Sequence, residues 1–135
     1  MYLLDTNVIS ELRKKKPHGA VAAWLENTPA QDIYIPAVAI GELQHGVELT
    51  RQQDSQKASE IEQWIDRTVL SYSVISMDGA DFREWARLML RTPDDLSADA
   101  MIAATARVHG MVVVTQNVKD FASFRVRVFN PFSGK

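Results

Sequence analysis

Acidic side chains stand at several places in the sequence where they could share one chemical task. Two groups directly follow short apolar runs: Asp5-Thr6-Asn7, and Thr115-Gln116-Asn117 with Asp120 three residues further on. Glu42 and Asp99 belong to predicted helices with apolar surroundings, where few solvated charges are expected. If the fold gathers these acids, they raise one another's pKa unless a cation offsets them. A hard divalent ion such as Mg²⁺ does so, and it can activate a water for phosphodiester hydrolysis.

Each of these residues also has an ordinary structural explanation. Asp5 could cap the first helix, and Asp99 could favour the dipole of its own helix. Glu42 could be half-exposed, and Asn117 and Asp120 could be turn residues. We favour a shared site, because the alternative requires a separate structural explanation to be correct for every one of these residues.

The elements that must position these acids alternate between strand and helix. We predict strands over residues 1–4, 33–35, 73–75, 112–114 and 126–129. We predict helices over residues 8–13, 18–26, 36–47, 55–69, 79–90 and 98–109. This alternation indicates an α/β fold with a parallel sheet, in which ligands bind beyond the carboxyl ends of the strands.

Spacing within the helices predicts which positions face inward. Ala39, Leu43 and Val47 recur every four residues, and Glu42 lies beside that stripe. Gly46, one turn after Glu42, leaves the same helix face without bulk, as an acid facing a cavity needs.

Further expectations concern buried aromatic residues and the end of one helix. Phe82 and Trp85 are expected on the apolar face of their helix, together with Leu88 or Met89. Trp24 and Trp64 are likewise expected in the core. Gly110 is the expected left-handed stop of the helix before it.

Composition limits the class of protein. The 135 residues, 46% of them apolar, suffice for one domain with a core, and we expect a single domain over residues 1–135. The absence of cysteine excludes a thiolate zinc site and suits a reducing compartment, so we expect a cytosolic protein. No apolar run is long enough for a signal peptide or a membrane span. With a net charge of −2, nucleic acid would need a local basic patch or a metal ion.

Basic residues form two such patches. The run 13–16 (Arg-Lys-Lys-Lys) follows the first helix, where it could contact RNA phosphate or simply be solvated. Arg83, Arg87 and Arg91 recur at four-residue spacing and form a positive ridge that could face phosphate or an acidic partner. The three histidines have no ligand spacing, and no glycine-rich phosphate loop is present.

Taken together, these motifs resemble the PIN-domain ribonucleases, in particular the VapC-type toxins of bacterial type II toxin–antitoxin systems. The resemblance runs from residue 2 to about residue 132 and has four parts in order. They are Asp5-Thr6-Asn7, Glu42-Leu43 with Gly46, Asp99 with Ile102-Ala103-Ala104, and Thr115-Gln116-Asn117 leading to Asp120-Phe121.

The resemblance implies a three-layer α/β/α fold with about five parallel strands. It also implies that Asp5, Glu42 and Asp99 bind Mg²⁺ or Mn²⁺ and that a fourth acid lies near Asn117 or Asp120. An amide at Asn117 departs from the acidic pattern, and Asp120 could compensate for it. Thr6 and Thr115 would supply hydroxyls to the carboxylates or to a metal-bound water. The products of RNA cleavage would be a 5′-phosphate and a 3′-hydroxyl.

Partners also follow from the resemblance. It implies an antitoxin whose C-terminal segment crosses the acidic groove, and a homodimer formed through the middle helices. Two other functions remain open. A PIN fold with weakened chemistry could act as an RNA-binding or regulatory module, as Asn117 suggests. A phosphatase with an aspartyl-phosphate intermediate is disfavoured, because it requires a second Asp where Asn7 stands.

Overall fold

Five short strands alternate with helices along the chain, as the apolar runs predict. The computed structural model describes residues 1–135. The strands are β1 (Tyr2–Leu4), β2 (Ile33–Pro36), β3 (Ser73–Ile75), β4 (Val112–Val114) and β5 (Val128–Phe129). The helices are α1 (Thr6–Glu11), α2 (Gly19–Glu26), α3 (Ala37–Arg51), α4 (Ser55–Ser71), α5 (Gly79–Met89), α6 (Ser97–His109) and α7 (Val118–Phe121).

The strands form one parallel sheet in the order β3-β2-β1-β4-β5. From the central β1 the chain builds outward through β2 to β3, and it then crosses over through α5 and α6 to place β4 on the other side of β1. The order therefore reverses between β1 and β4. Loops leaving two such strands diverge to opposite faces and open a crevice at the carboxyl edge.

Successive side chains of a strand point to opposite faces of the sheet, and each face packs into its own hydrophobic core. Leu3 and Val113 pack on one face with α6 residues and with Phe121 and Phe124. Leu4 and Val114 pack on the other face with residues of α1, α2 and α3. Helix α4 packs outside α3, so the predicted three-layer α/β/α architecture is confirmed.

Helix α5 differs from its predicted pattern in one respect. Phe82 is 46% exposed, whereas Asp81 is fully buried and shares the inward stripe with Trp85 and Leu88. Asp81 is accommodated there because it completes a capping box with Asp78 and lies 3.1 Å from Nε2 of His109. Asp81, which has polar partners nearby, therefore faces inward on α5, and the neighbouring Phe82 faces outward.

The remaining expectations agree with the structure at the level of elements. The three tryptophans are partly buried against the cores. Gly110 ends α6 in the left-handed conformation, at φ +68°. No helix combines the length and the apolar character needed to cross a bilayer.

Candidate active site at the carboxyl ends of the central strands

The crevice between β1 and β4 begins at Asp5 and Thr115, the residues that follow the two strands. The parallel register pairs Leu4 with Val114, so the next residue of each strand reaches the same edge. The backbone N–H of Asp5 extends the ladder by donating to the carbonyl of Val114 at 2.9 Å. Asp5 is 3% exposed and Thr115 is fully buried.

Three donors hold the Asp5 carboxylate. The Thr115 hydroxyl donates to Oδ2 at 2.7 Å, and Nδ2 of Asn7 donates to the same oxygen at 2.9 Å. The backbone N–H of Thr6 donates to Oδ1 at 2.8 Å, which is the cap predicted for α1. Burial raises the pKa of Asp5, although these hydrogen bonds partly oppose the effect. The carboxylate of Asp5 therefore caps α1 and also belongs to the candidate site.

Asn7 has a role that the sequence did not reveal. Its Nδ2 bonds Asp5, while its Oδ1 accepts from the backbone N–H of Gln116 at 3.1 Å. The amide therefore ties the loop after β1 to the loop after β4. The motif alone indicated a helix cap, and no local signal distinguishes a cap from a bridge to a loop more than a hundred residues away.

Glu42 lies on the exposed surface of α3, so the expectation of an apolar setting is wrong for this acid. The stripe of Ala39 and Val47 is buried, but Glu42 is rotated away from it, towards α1. There the Thr6 hydroxyl donates to Oε1 of Glu42 at 2.7 Å. Thr6 and Thr115 thus each bind a carboxylate, as the resemblance implied.

Asp99 is half-buried in the first turn of α6. Its pKa is raised to about 6, first by burial and then by the negative charges of Asp5, Asp120, Glu42 and Asp95, in that order. Asp95 is an acid that the sequence analysis did not select. This repulsion indicates that the acids predicted from separate parts of the chain lie within electrostatic reach of one another.

Asn117 and Asp120 differ in what they bring to the site. Asn117 is exposed, and its backbone N–H, not its side chain, bonds the Thr115 hydroxyl at 3.0 Å. Asp120 is half-buried, and its charge raises the pKa of both Asp5 and Asp99. The geometry therefore favours Asp120 as the fourth acid.

The acidic side chains of the site are too widely spaced to form a complete set of metal ligands. No three His, Cys, Asp or Glu side chains of residues 1–135 converge closely enough to hold one metal ion between them. The carboxylates are thus near neighbours that do not form a closed cage.

Open grooves lie on both sides of the acids. One, of about 260 Å³, runs between α1 and α3 and includes Glu42, Gly46 and Arg13. The other, of about 400 Å³, lies over α7 and includes Asn117, Lys119 and Asp120. Each groove therefore combines an acid of the site with one basic side chain.

Comparison with known proteins places this chain and its fold in a family. The sequence profile of the PIN domain matches residues 2–126. The chain is a PIN-domain protein. Among its relatives, Toxin FitB of Neisseria gonorrhoeae is 32% identical over 98% of this chain and 99% of that protein. VapC ribonuclease Y4jK of Sinorhizobium fredii is also 32% identical, over 98% of each chain.

Solved structures agree with this membership. The crystal structure of FitAcB from Neisseria gonorrhoeae superimposes on this PIN domain with a TM-score of 0.84 and 31% identity, over 98% of this chain and 99% of that chain. A toxin–antitoxin complex from Klebsiella pneumoniae gives a TM-score of 0.74 at 24% identity, over 97% of this chain and 98% of that chain, which shows a shared fold.

Proposed function

We propose that this PIN domain is an endoribonuclease toxin that hydrolyses RNA phosphodiester bonds with the help of a divalent metal ion. The observation that carries the proposal is the arrangement at the strand edge, where Thr6 and Thr115 donate hydrogen bonds to the carboxylates of Glu42 and Asp5. The charges of these two acids also reach Asp99 in the first turn of α6. Relatives named as a toxin and a ribonuclease support RNA as the substrate class.

Mg²⁺ or Mn²⁺ suits this donor set. The carboxylates offer hard oxygen ligands, and a cation relieves their repulsion. Mg²⁺ commonly keeps several waters and binds through one or two carboxylates together with substrate phosphates, so a closed cage is not required. Asp5, Asp99 and Glu42 would hold the ion, directly or through water. When bound, it supplies a Lewis acid that activates water and neutralises charge on the phosphate.

The chain's own residues keep the acids in position for this chemistry. The donors around Asp5 leave one lone pair on Oδ1 free for a ligand, and the Thr6 hydroxyl leaves Glu42 Oε2 free. No donor of the chain makes a hydrogen bond to the Asp99 carboxylate, so both of its oxygens are available to a ligand. Arg13 and Lys119, in the grooves on either side, would hold the RNA strand across the acids.

A second candidate, the RNA-binding or regulatory module, is favoured by the amide at Asn117. Asp120 weakens that argument because its charge already acts on Asp5 and Asp99. We therefore rank the nuclease first.

An antitoxin partner is part of the proposal. The acidic edge suits an inhibitor that places a basic side chain among Asp5, Glu42 and Asp99. A structural neighbour solved as a toxin–antitoxin complex supports a partner of this kind.

Cleavage of total RNA by the purified, partner-free protein tests the nuclease. We expect products with 5′-phosphates in Mg²⁺ or Mn²⁺ and none with a chelator. Asp5→Asn, Glu42→Gln and Asp99→Asn should each lower the rate at least about 100-fold, because each removes a charge from the proposed metal site. Asp66→Asn, an exposed acid on α4, is the matched control.

Retained cleavage in Asp5→Asn or Asp99→Asn would remove the basis for the assignment. RNA binding without cleavage under any metal would favour the regulatory module.

A further inference from the structure

A second charged surface lies at the pole of the molecule opposite the acids. Two adjoining cavities of about 360 and 340 Å³ share Arg107 and Arg125. We call them the arginine groove, which is lined by Arg87, Arg91, Arg107, Arg125 and Arg127. Helix α6 starts beside the acids and ends at this groove, so its 13 residues separate the two surfaces by about 20 Å.

Positive charge in the groove is poorly compensated. Glu84 is the only acid in its lining, and it is shared between Nη1 of Arg87 and Nε of Arg107, each at 3.4 Å. Arg91, Arg125 and Arg127 have no carboxylate oxygen within the 4.0 Å of an ion pair. A chain of net charge −2 thus carries a concentrated positive pole.

Two of the five arginines have a clear role in the fold. Arg107 donates to the carbonyls of Phe124 and Arg125 at 3.1 and 2.7 Å, and Arg127 donates to the carbonyl of Gly110 at 3.2 Å. These bonds hold the turn before β5 against the end of α6, as basic residues near a helix C-terminus often do.

The other three arginines are not explained by the fold. Arg125 is the only non-glycine residue with a positive φ, at +53°, where glycine or asparagine would be less strained. Arg91 lies beyond the end of α5, which corrects the expectation of a ridge confined to one helix. Arg87 forms an ion pair with Glu84, whose carboxylate is also paired with Arg107. The guanidinium groups of Arg91 and Arg125 have no carboxylate partner, and that of Arg87 has only the exposed ion pair with Glu84, so all three can accept an external anion.

We propose that the arginine groove binds the phosphate backbone of the RNA whose scissile bond lies at the acids. This inference rests on the proposed nuclease function. An acidic centre repels its polyanionic substrate, and a distant arginine surface offsets that repulsion while matching phosphate geometry. At about 3.4 Å per stacked nucleotide, a strand needs about six nucleotides to span about 20 Å, so only longer RNA reaches both surfaces.

Steady-state cleavage of two substrates tests the groove. We combine Arg87→Gln, Arg91→Gln and Arg125→Asn, the last of which removes charge and suits positive φ. The triple variant should raise KM severalfold for a long folded RNA and leave its kcat unchanged. It should leave both constants unchanged for a four-nucleotide RNA that contains the cleaved bond. Arg67→Gln, an exposed arginine on α4, is the matched control.

Binding without catalysis separates this proposal from the nuclease assignment. In an Asp5→Asn background, fluorescence anisotropy should show weaker binding of the long RNA by the triple variant. The slope of log affinity against log salt should fall by about 1 for each phosphate that the variant no longer binds. If the parent protein cleaves no RNA yet this difference persists, the phosphate groove stands and the nuclease assignment fails.

Three results would contradict the proposal that the arginine groove binds the RNA backbone. One is unchanged KM and binding for long RNA. Another is an equal rise of KM for the four-nucleotide substrate, which would indicate an effect on the acids or on the fold. The third is weakened binding of polyglutamate or duplex DNA with RNA binding intact, which would assign the groove to an acidic peptide or to DNA.

Discussion

Asp5 and Asp99 are both aspartates of the candidate site, but their surroundings affect the pKa of each differently. Asp5 is the more deeply buried, but three donors stabilise its charged form. Burial and repulsion act on Asp99 without that relief and raise its pKa to about 6. Asp99 is therefore the acid that a bound cation would stabilise most.

Stability against pH tests this difference in metal-free protein. The pKa of Asp99 is about 6 in the folded chain and 3.8 for an unperturbed aspartate, so the folded state binds its proton more tightly. This group therefore lowers the free energy of unfolding as pH rises from about 4 to about 6, and the loss is complete above that. Asp99→Asn should stabilise the protein near pH 7, with a gain that shrinks towards pH 4.

Urea unfolding in the presence of a chelator, repeated across that pH range, measures the effect. Asp66→Asn serves as the exposed control and should show no such trend. A gain from Asp99→Asn that does not change with pH would contradict the assigned cause.

Helix α6 connects the two charged poles at the scale of elements. Its first turn carries Asp99, and its end is set by Gly110 at φ +68°. Both ends were predicted because helix starts and stops have local signals. The arginine groove, by contrast, draws on α5, α6 and the turn before β5, which no single segment reveals.

Two glycines provide a matched test of the local argument. Gly110→Ala should destabilise the protein by about 1 kcal/mol, because alanine is strained at positive φ. Gly46→Ala should stabilise it by up to about 1 kcal/mol, since a Cβ at that position within α3 meets nothing within 4 Å.

Thermal and urea unfolding of both variants measure these changes. Gly110→Asn should recover part of the loss, as asparagine tolerates the left-handed region. Equal stability of the Gly110→Ala and parent proteins would show that the left-handed stop contributes little.

At the scale of the whole molecule, exposed apolar side chains concentrate in the middle of the chain. Of the exposed large hydrophobic residues, those between positions 49 and 90 are Leu49, Leu70, Val74, Phe82 and Leu90. Leu49 on α3 and Leu70 on α4 are 53% and 87% exposed, so both are available for contact with a second copy of the chain. We propose that these side chains of the middle helices belong to the homodimer interface that the family resemblance implies.

Light scattering during size exclusion tests that assembly. At micromolar concentration we expect a mass twice that of the chain, and Leu49→Gln with Leu70→Gln should shift it towards the monomer. Val118→Gln, outside the middle region, is the control. A parent protein that elutes as a monomer would contradict the homodimer.

Much of the fold could be predicted because its signals are short-range. Apolar β-branched runs indicated the strands, and caps and glycine marked the ends of helices. Asp5, Asp99 and Asp120 stand at such ends, so they could be selected as candidates from the sequence alone. The alternation of elements was enough to predict a parallel sheet with its polar loops at one edge.

What the sequence determined by itself was the kind and order of elements and the acids at their ends, since these depend on neighbours a few residues away. Only the tertiary structure decided that Glu42 is exposed, that Asn7 bridges two loops and that the charge of Asp120 acts on Asp5 and Asp99. The same holds for the pKa of Asp99 and for the arginine groove. Each of these depends on distances between groups far apart in the chain, and electrostatic energy follows distance in space rather than separation in sequence.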